Sequence, residues 1–308
     1  KALKYIRSLI NNVMRLLFAV LAILSIKYSF SQESYILDSI AEPNGFTYLA
    51  RPIGTGPFPA VLYSHGGLGG VIGGDLRETC ISLAQSGYIS WCELRSDTLP
   101  IQPHIEQVEI SLDSLLNQSD VDLDNIGIIG FSRGGLLTLV TAVNRYSDVN
   151  AVVTMAPAAA GNYLYNTLNQ AYAIDDPVLV LVAENDLYQD DHVQLADDVA
   201  QALDTYTDVI HIEYDAYDSD NNGVINNLDD GHELFWEVQQ PYWSDLIEFL
   251  DNNLKDDSSF VEQIQVNHNE NTSFKIIDML GREVNHKTNA TLLYLYDNGI
   301  VEKKFVVE

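Results

Sequence analysis

Basic residues are scarce in this sequence. It holds 16 Lys and Arg against 44 Asp and Glu, which gives a formal net charge of −28 at pH 7. A surface of this sign repels the phosphates of nucleic acids and the headgroups of anionic membranes. The charge therefore argues against nucleic acid and anionic membranes as partners, while a well-solvated acidic exterior says little about a substrate.

Cysteine is equally scarce, because the chain holds only Cys80 and Cys92. Cys80 falls in a predicted helix and Cys92 in the strand that follows it, two elements that pack together in α/β proteins. In an exported protein the two thiols can pair. Free buried cysteines also behave as small hydrophobic side chains, so the sequence leaves both states open.

The sequence also lacks a long hydrophobic run. Its apolar stretch near the start, Leu16–Leu24, is too short to span a bilayer comfortably. Basic residues precede this stretch, small residues follow it at Ser29 and Ser31, and no acidic residue occurs before Glu33. The pattern predicts a secretory signal over residues 1–31 and no stable membrane span. Loss of those residues removes five positive charges and takes the net charge from −28 to −33.

Residues 32–254 alternate between apolar strands and amphipathic helices. Continuous apolar strands separated by helices indicate the α/β class, with a mostly parallel central sheet covered by helices on both faces. In such sheets the functional residues gather at the carboxyl ends of the strands. The predicted strands are 58–65, 88–95, 125–131, 150–157, 177–184 and 208–217, and the predicted helices are 75–87, 104–117, the segment after 132, 191–204 and 242–253.

The composition changes after this region. Residues 255–259 are polar enough to form a linker, and residues 260–308 show short alternating strands with turn signals at Gly281 and Gly299. This part of the chain is predicted to be a separate small β module.

A small hydroxyl side chain, Ser132, lies where the apolar strand 125–131 gives way to a helix. It stands between two glycines in the sequence Gly130-Phe131-Ser132-Arg133-Gly134. One interpretation is a serine that caps the helix, and the other is a nucleophile raised on a strand-to-helix turn. The remainder of the chain decides between them.

A serine nucleophile needs a histidine that removes its proton and a carboxylate that orients the histidine. The strand 177–184 leads directly to Asp186, and His232 is predicted in a loop before the last helix. The order serine, aspartate, histidine suits this chemistry. Competing acids are Glu184, predicted to lie still within the strand, and Asp190 and Asp191, predicted to begin the next helix, where acidic residues complement the dipole.

A glycine-rich turn follows the strand 58–65 in the sequence Ser64-His65-Gly66-Gly67. Glycines allow a backbone N–H to approach a substrate closely. We expect the N–H groups of Gly67 and Arg133 to form the oxyanion hole that stabilises a tetrahedral intermediate.

These motifs, together with Glu184-Asn185-Asp186 and Gly231-His232, resemble the α/β-hydrolase superfamily, and most of all its dienelactone hydrolase and acetyl-esterase-like branch. The resemblance covers about Glu42 to Leu254. It implies an α/β-hydrolase fold and a serine ester hydrolase that acts through an acyl-enzyme, with no redox or nucleotide cofactor. Dienelactone hydrolases proper use a cysteine nucleophile, so Ser132 favours ordinary carboxylic esters.

Several alternatives remain at this point. Candidate substrates range from acylated polysaccharides to short-chain or polymeric esters, and export favours polymers. A serine peptidase of the prolyl-oligopeptidase type shares the triad, but the sequence has no propeller domain. A non-catalytic, calcium-stabilised surface binding protein is the non-enzymatic alternative. Three tyrosines either line the acyl or alcohol pocket or pack as ordinary helix residues: Tyr163, Tyr165 and Tyr172.

An acidic loop at residues 218–229, "DSDNNGVINNLD", matches the spacing of an EF-hand calcium loop, with Asp229 where Glu is commonest. Flanking helices are missing, so the likeness is to the isolated loops of dockerins and other extracellular proteins. The alternative is a solvated acidic loop. A bound Ca²⁺ would be structural, and the predicted ligands are Asp218, Asp220, Asn222, the Val224 carbonyl, Asn226 and Asp229.

The C-terminal module, residues 260–308, resembles the C-terminal sorting domain of the type IX secretion system of Bacteroidota. The likeness rests on "DMLGRE" and on the terminal "DNGIVEKK". With the N-terminal signal it implies passage through the periplasm to the cell surface or the medium, with the secretion machinery as a partner. A small accessory domain that binds polymer is the alternative.

Overall fold

The computed structural model describes residues 35–68, 71–225, 229–255, 274–278, 290–296 and 301–306. The chain divides into two compact units, residues 1–255 and 256–308. The predicted signal and the predicted linker after residue 255 lie outside the described residues. Within the described part, no helix is long and apolar enough to cross a membrane.

The first unit is built on an eight-stranded sheet with the order β1-β2-β6-β3-β7-β8-β9-β10. All neighbours from β6 to β10 pair in parallel, whereas β1 and β2 pair antiparallel with each other and β2 pairs antiparallel with β6. The sheet strands are β1 (Tyr35–Glu42), β2 (Gly45–Pro52), β3 (Phe58–Ser64), β6 (Ile89–Glu93), β7 (Val121–Phe131), β8 (Ala151–Met155), β9 (Val178–Ala183) and β10 (Val209–Tyr214). A separate ribbon pairs β4 (Gly66–Leu68) with β5 (Val71–Gly73).

Helices cover both faces of this sheet, because β3, β7, β8 and β9 are apolar on both sides. One core cluster contains α2, α3 and α5, and the cluster on the opposite face contains α1 and α7. The helices are α1 (Leu76–Gln85), α2 (Gln102–Leu116), α3 (Arg133–Asn144), α4 (Tyr163–Leu168), α5 (His192–Leu203), α6 (Asp230–Glu233) and α7 (Tyr242–Leu254), with a 3₁₀ turn at Ala171–Ala173.

The structure confirms the predicted class, a mostly parallel sheet with helices on both faces. The antiparallel hairpin of β1 and β2 was not predicted. β1 is largely exposed, and in β2 only Thr47, Leu49 and Ala50 are buried, so both strands lack the continuous apolar run that marks the central strands.

The second unit contains a three-stranded antiparallel sheet with the order β11-β12-β13. Its strands are β11 (Phe274–Asp278), β12 (Ala290–Tyr296) and β13 (Val301–Val306).

Both cysteines are buried and free. The Cys80 thiol lies 3.4 Å from the Ser90 carbonyl and 3.2 Å from the Ser90 hydroxyl. Their placement on α1 and β6 is as predicted, and the structure holds them as thiols rather than as a disulfide.

Candidate active site

Ser132 occupies a strained turn between β7 and α3, with φ 55° and ψ −118°. Its side chain makes no capping hydrogen bond, so the interpretation of a helix-capping serine is wrong. The turn is held by its backbone: Ser132 N–H donates to Met155 C=O at 2.8 Å, and Ser132 C=O accepts from Ala158 N–H at 3.0 Å. A non-glycine residue in such a conformation costs about 1–3 kcal/mol, and the surrounding backbone fixes it there.

The glycines on either side of Ser132 permit this turn to pack closely. A Cβ on Gly134 would lie 1.9 Å from the Ser64 carbonyl oxygen, and a Cβ on Gly130 would lie 2.3 Å from the Gly134 carbonyl oxygen. Backbone atoms cannot yield to such contacts. The motif therefore places β3 and its glycine-rich turn directly against the first turn of α3.

His232 and Asp186 form a buried hydrogen-bonded pair. The distance from His232 Nδ1 to Asp186 Oδ2 is 2.8 Å, and the two residues are 3% and 0% exposed. His232 lies on the one-turn helix α6 and not in a loop as the sequence suggested. The close approach depends on Gly231, where a Cβ would stand 2.6 Å from the Asp186 backbone nitrogen.

The other acids near Asp186 point elsewhere. Glu184 is exposed and lies just beyond β9, so its predicted place inside the strand is wrong. Asp191 caps α5, since its side chain accepts from Gln194 N–H at 3.1 Å, and Asp190 is exposed. Of these four carboxylates, Asp186 is the one that contacts His232 in the described part of the chain.

Three aromatic rings enclose the His232 imidazole, and sequence reasoning missed two of them. Tyr188 stacks on it with ring centroids 4.9 Å apart, His192 lies at 4.5 Å and Phe131 at 4.7 Å. The ring nitrogens of His192 lie 3.1 Å from Pro157 O and 2.9 Å from Tyr188 O, which ties the Asp186 loop to the segment after β8. A histidine at a predicted helix start resembles a surface residue, so no sequence signal marks its role.

The geometry sets the protonation state of His232. A carboxylate can only accept, so Nδ1 carries the hydrogen and donates to Asp186, which leaves Nε2 as the basic nitrogen. Burial lowers the pKa of His232, and the hydrogen bond to Asp186 offsets part of this shift. The imidazole is therefore neutral at pH 7.

This shift predicts the pH dependence of turnover. As the pH falls through the lowered pKa of His232, the imidazole becomes charged and cannot accept a proton. We expect kcat/KM for p-nitrophenyl acetate to fall on the acid side with a midpoint below 6.5, the ordinary histidine value. A pH profile from pH 4.5 to 8 measures it, and a midpoint above 6.5 would contradict the assigned effect of burial.

The glycine-rich turn after β3 forms the β4–β5 ribbon, with Gly69 and Gly70 outside the described residues. A buried arginine that the sequence analysis did not single out supports this ribbon. Arg95 donates to His65 C=O at 2.5 Å, to Gly67 C=O at 3.2 Å and to the Ser64 hydroxyl at 2.8 Å. Burial lowers the pKa of Arg95 to about 9, so it remains charged at neutral pH.

His65 completes this support. Its Nε2 accepts from Arg95 N–H at 3.1 Å, which leaves Nδ1 as the donor to Gly66 C=O at 2.6 Å. Burial lowers the pKa of His65 well below its usual value, so the ring stays neutral. The only sequence signal for Arg95 is a cationic residue at the carboxyl end of the predicted strand 88–95.

The second expected oxyanion donor, the backbone N–H of Arg133, begins α3. As the first residue of the helix, it has no acceptor within the helix. The Arg133 side chain points away to the start of α2 and the segment before it. Its Nε donates to Nδ1 of His104 on α2 at 3.0 Å, and the guanidinium donates to Leu99 C=O and Pro100 C=O. The side chain is thereby occupied in anchoring that segment.

The acidic loop folds its side chains onto its own backbone. Asp218 Oδ2 accepts from Gly223 N–H at 2.7 Å, and Asn222 Oδ1 accepts from Val224 N–H at 2.7 Å. Asn226 lies outside the described residues. Among the described residues, the one group of three His, Cys, Asp or Glu donors within 4.8 Å of one another is Asp186, His192 and His232, and not the carboxylates of this loop.

The three candidate pocket tyrosines are exposed, with Tyr163 at 39%, Tyr165 at 44% and Tyr172 at 67%. The Tyr165 hydroxyl donates to Asp198 on α5 at 2.9 Å. Tyr165 therefore bridges two helices at the surface.

Comparison with known proteins gives a family match for part of the chain and a shared fold for the first unit. Residues 98–227, which include Ser132 and Asp186, match the model of the Dienelactone hydrolase family. No curated protein matches the chain.

Similar solved structures share the fold of the first unit. Esterase B from Lactobacillus rhamnosis (HN001) has a TM-score of 0.52 at 15% identity, and the match covers 83% of this chain and 98% of the esterase chain. A dienelactone hydrolase from Anabaena variabilis ATCC 29413 has a TM-score of 0.50 at 17% identity, and the match covers 72% of this chain and 98% of that hydrolase chain. An acetyl xylan esterase from Paenibacillus sp. R4 has a TM-score of 0.51 at 14% identity, and the match covers 73% of this chain and 86% of that esterase chain. The chain thus has an α/β-hydrolase fold, and its central segment, residues 98–227, matches the Dienelactone hydrolase family.

Proposed function

We propose that the chain hydrolyses carboxylic esters through an acyl-enzyme, with Ser132 as nucleophile, His232 as general base and Asp186 as the acid that orients it. The observation that carries this proposal is the buried 2.8 Å contact between His232 Nδ1 and Asp186 Oδ2. It presents Nε2 as a neutral base, and Ser132 stands in a strained turn whose side chain has no capping role. These are the three groups that nucleophilic serine catalysis requires.

In the first step, the Ser132 oxygen attacks the acyl carbon while His232 Nε2 takes the hydroxyl proton. The charged imidazole is stabilised by the Asp186 carboxylate. Collapse of the tetrahedral intermediate breaks the bond to the alcohol oxygen, which leaves with the proton from His232. Water then attacks the acyl-enzyme by the same route, which releases the carboxylic acid and restores Ser132.

The N–H groups of Gly67 and Arg133 are proposed as the donors to the oxyanion. Arg133 N–H lies at the start of α3, where the helix dipole favours negative charge. The buried Arg95 holds the turn that contains Gly67 through three hydrogen bonds. A donor fixed before the reaction needs no reorganisation when charge develops.

We further propose an extracellular place of action, in which the predicted signal at residues 1–31 and a sorting function of residues 260–308 direct the protein to the cell surface or the medium. Polymeric or polysaccharide-bound esters are then accessible substrates. The acid-rich composition, with a net charge of −28, suits a soluble exported protein.

Pre-steady-state turnover of p-nitrophenyl acetate and p-nitrophenyl butyrate tests the acyl-enzyme. We expect a burst of p-nitrophenol that approaches one equivalent of enzyme, followed by slower steady turnover, because p-nitrophenol is a good leaving group and acylation is then faster than the deacylation that follows. Turnover of neither ester by the folded protein would contradict the proposed function.

We also propose that the loop at residues 218–229 holds a structural Ca²⁺. Oxygen donors from Asp218, Asp220, Asn222, the Val224 carbonyl and Asp229 suit this hard cation, with Asn226 as a further ligand. The loop is joined to the helix that carries His232, since the Ser219 hydroxyl donates to Asp230 Oδ1 at 2.6 Å. A bound ion would then support the position of His232.

Thermal unfolding with Ca²⁺ or with chelator tests this site. At a Ca²⁺ concentration 100-fold above the dissociation constant, the midpoint should rise by about 5–10 °C, since ligand binding stabilises the folded state. The shift should disappear in Asp220→Asn and persist in Asp208→Asn, an exposed acid outside the loop. An equal shift in both variants would indicate general screening of negative charge instead.

A further inference from the structure

The first unit contains a cleft of about 430 Å³, within the range of about 300–1,000 Å³ that is typical of ligand pockets. One wall comes from the β1–β2 hairpin and the start of α1, and the other comes from the segment after α6. The residues that matter for its chemistry are Phe46, Tyr48, Gly74, Arg77, Trp236 and Glu237.

One wall of the cleft is continuous with the glycine-rich turn. Gly74 directly follows β5, whose Gly73 pairs with Gly66 on β4. Cβ atoms on Gly66 and Gly74 would lie 2.8 Å and 3.9 Å from the same Cδ1 atom of Phe131, the residue before Ser132. Phe131 is therefore a neighbour of the proposed oxyanion turn and of Gly74, which lines the cleft.

The other wall is continuous with the helix that carries His232. Trp236 lies four residues after His232, and between them the buried Phe235 packs on Phe131 with ring centroids 5.8 Å apart. The segment therefore turns His232 toward Asp186 and presents Trp236 to the cleft. Both walls of the cleft thus continue into segments that carry proposed catalytic groups, the turn with Gly67 and the helix with His232.

The cleft exposes aromatic rings to water. Trp236 is 41% exposed and Phe46 is 48% exposed, while Tyr48 lies 6.2 Å from Phe46 between ring centroids. Large aromatic side chains left in solvent at a cleft mark a binding surface. A flat ring offers the apolar C–H face of a sugar a rigid partner at little cost in side-chain entropy.

The polar groups of the cleft narrow the ligand class. Within the described part of the chain, the Arg77 and Glu237 side chains make no ion pair and no hydrogen bond, although acids outnumber bases almost three to one in the sequence. A sugar hydroxyl can accept from a guanidinium and donate to a carboxylate, so a hydroxyl-rich ring satisfies both. An alkyl or aryl alcohol without further hydroxyls would gain no hydrogen bond from either group, because both side chains are exposed and stay hydrated.

Charge further favours a neutral sugar. Asp75 and Glu237 line the cleft with Arg77, so its carboxylates outnumber its guanidinium. An acidic sugar would meet like charges there.

From these observations we propose that the cleft binds neutral sugar units of an acylated polysaccharide and so places the ester of a neighbouring unit at Ser132. The inference deepens the proposed function and rests on it. It makes the alcohol part of the ester, rather than its acyl part, the source of specificity.

The experiment compares two acetyl esters with different alcohols, namely acetylated xylo-oligosaccharides as a neutral glycan probe and p-nitrophenyl acetate. In Trp236→Ala and Phe46→Ala, the ratio of kcat/KM for the oligosaccharide to kcat/KM for p-nitrophenyl acetate should fall by about tenfold, a typical value for loss of an aromatic contact. Two variants on opposite walls keep the test informative if one of them fails to fold.

Tyr146→Ala is the matched control, because Tyr146 is 58% exposed and follows the far end of α3. A helix of 12 residues is about 18 Å long, which separates Tyr146 from Ser132. This control should leave the ratio unchanged. An unchanged ratio in both cleft variants, or a fall in turnover of both esters by the same factor, would overturn the proposal.

Binding of the oligosaccharide to Ser132→Ala protein, measured by calorimetry, separates the cleft from the chemistry. We expect saturable binding that weakens about tenfold when Trp236→Ala is added. If wild type fails to hydrolyse p-nitrophenyl acetate, the proposed function fails, while this binding measurement still decides the cleft. Absence of binding overturns the cleft proposal by itself.

Discussion

Ser132→Ala is expected to lower kcat for p-nitrophenyl acetate by about 10⁴–10⁶-fold, the scale seen when a serine nucleophile is removed from a hydrolase. The physical reason is that no other hydroxyl stands at the turn between β7 and α3, so no acyl-enzyme can form. The substitution replaces a partly exposed side chain without a capping hydrogen bond, so stability should change little. Steady-state kinetics on purified protein measure the effect.

A control for this variant is Ser244→Ala, an exposed serine on α7. It should retain full turnover. Residual turnover of more than a few per cent in Ser132→Ala would assign the nucleophile elsewhere, provided that the preparation is free of wild-type enzyme.

Asp186→Asn is expected to lower kcat by about 10³–10⁴-fold, as an amide in this place favours the wrong tautomer of the histidine. The carboxylate Oδ2 accepts from His232 Nδ1 at 2.8 Å, and its other oxygen accepts from Tyr188 N–H at 3.3 Å. An amide NH₂ facing Nδ1 would move the histidine hydrogen to Nε2, which then cannot act as a base. Asp186 is fully buried, so thermal unfolding must accompany the kinetics.

Glu184→Gln provides the matched control for Asp186→Asn. Both substitutions convert a carboxylate to an amide, and the two residues lie two positions apart, but Glu184 is exposed. Its turnover should stay within about twofold of wild type, as expected for a surface substitution. The reverse result, with activity lost in Glu184→Gln and kept in Asp186→Asn, would reassign the orienting acid.

The pairing of Asp186 with His232 could be anticipated because parallel strands bring their carboxyl ends to one edge of the sheet. The position of Asp186 after a predicted strand, and the order of Ser132, Asp186 and His232 along the chain, thus predicted that Asp186 contacts His232. The sequence could not predict that His232 lies on a short helix, since the four-residue α6 is too short to show helical periodicity.

The supporting residues were not predictable for another reason. Arg95, His192 and Tyr188 act through contacts between segments far apart in the chain, such as the 2.5 Å bond from Arg95 to His65 C=O. A single sequence shows residue types and local periodicity, and contacts of this kind follow only from the assembled sheet. The cleft was missed likewise, because Phe46 and Trp236 lie 190 positions apart in the sequence.

Covalent trapping tests the central claim most directly. The protein is treated with a fluorophosphonate probe, and its intact mass and peptide masses are then measured by mass spectrometry. The account predicts one adduct per chain, mapped to Ser132 and absent from Ser132→Ala. An adduct on another residue, or none on folded wild-type protein that hydrolyses p-nitrophenyl acetate, would contradict a serine acyl-enzyme at this site.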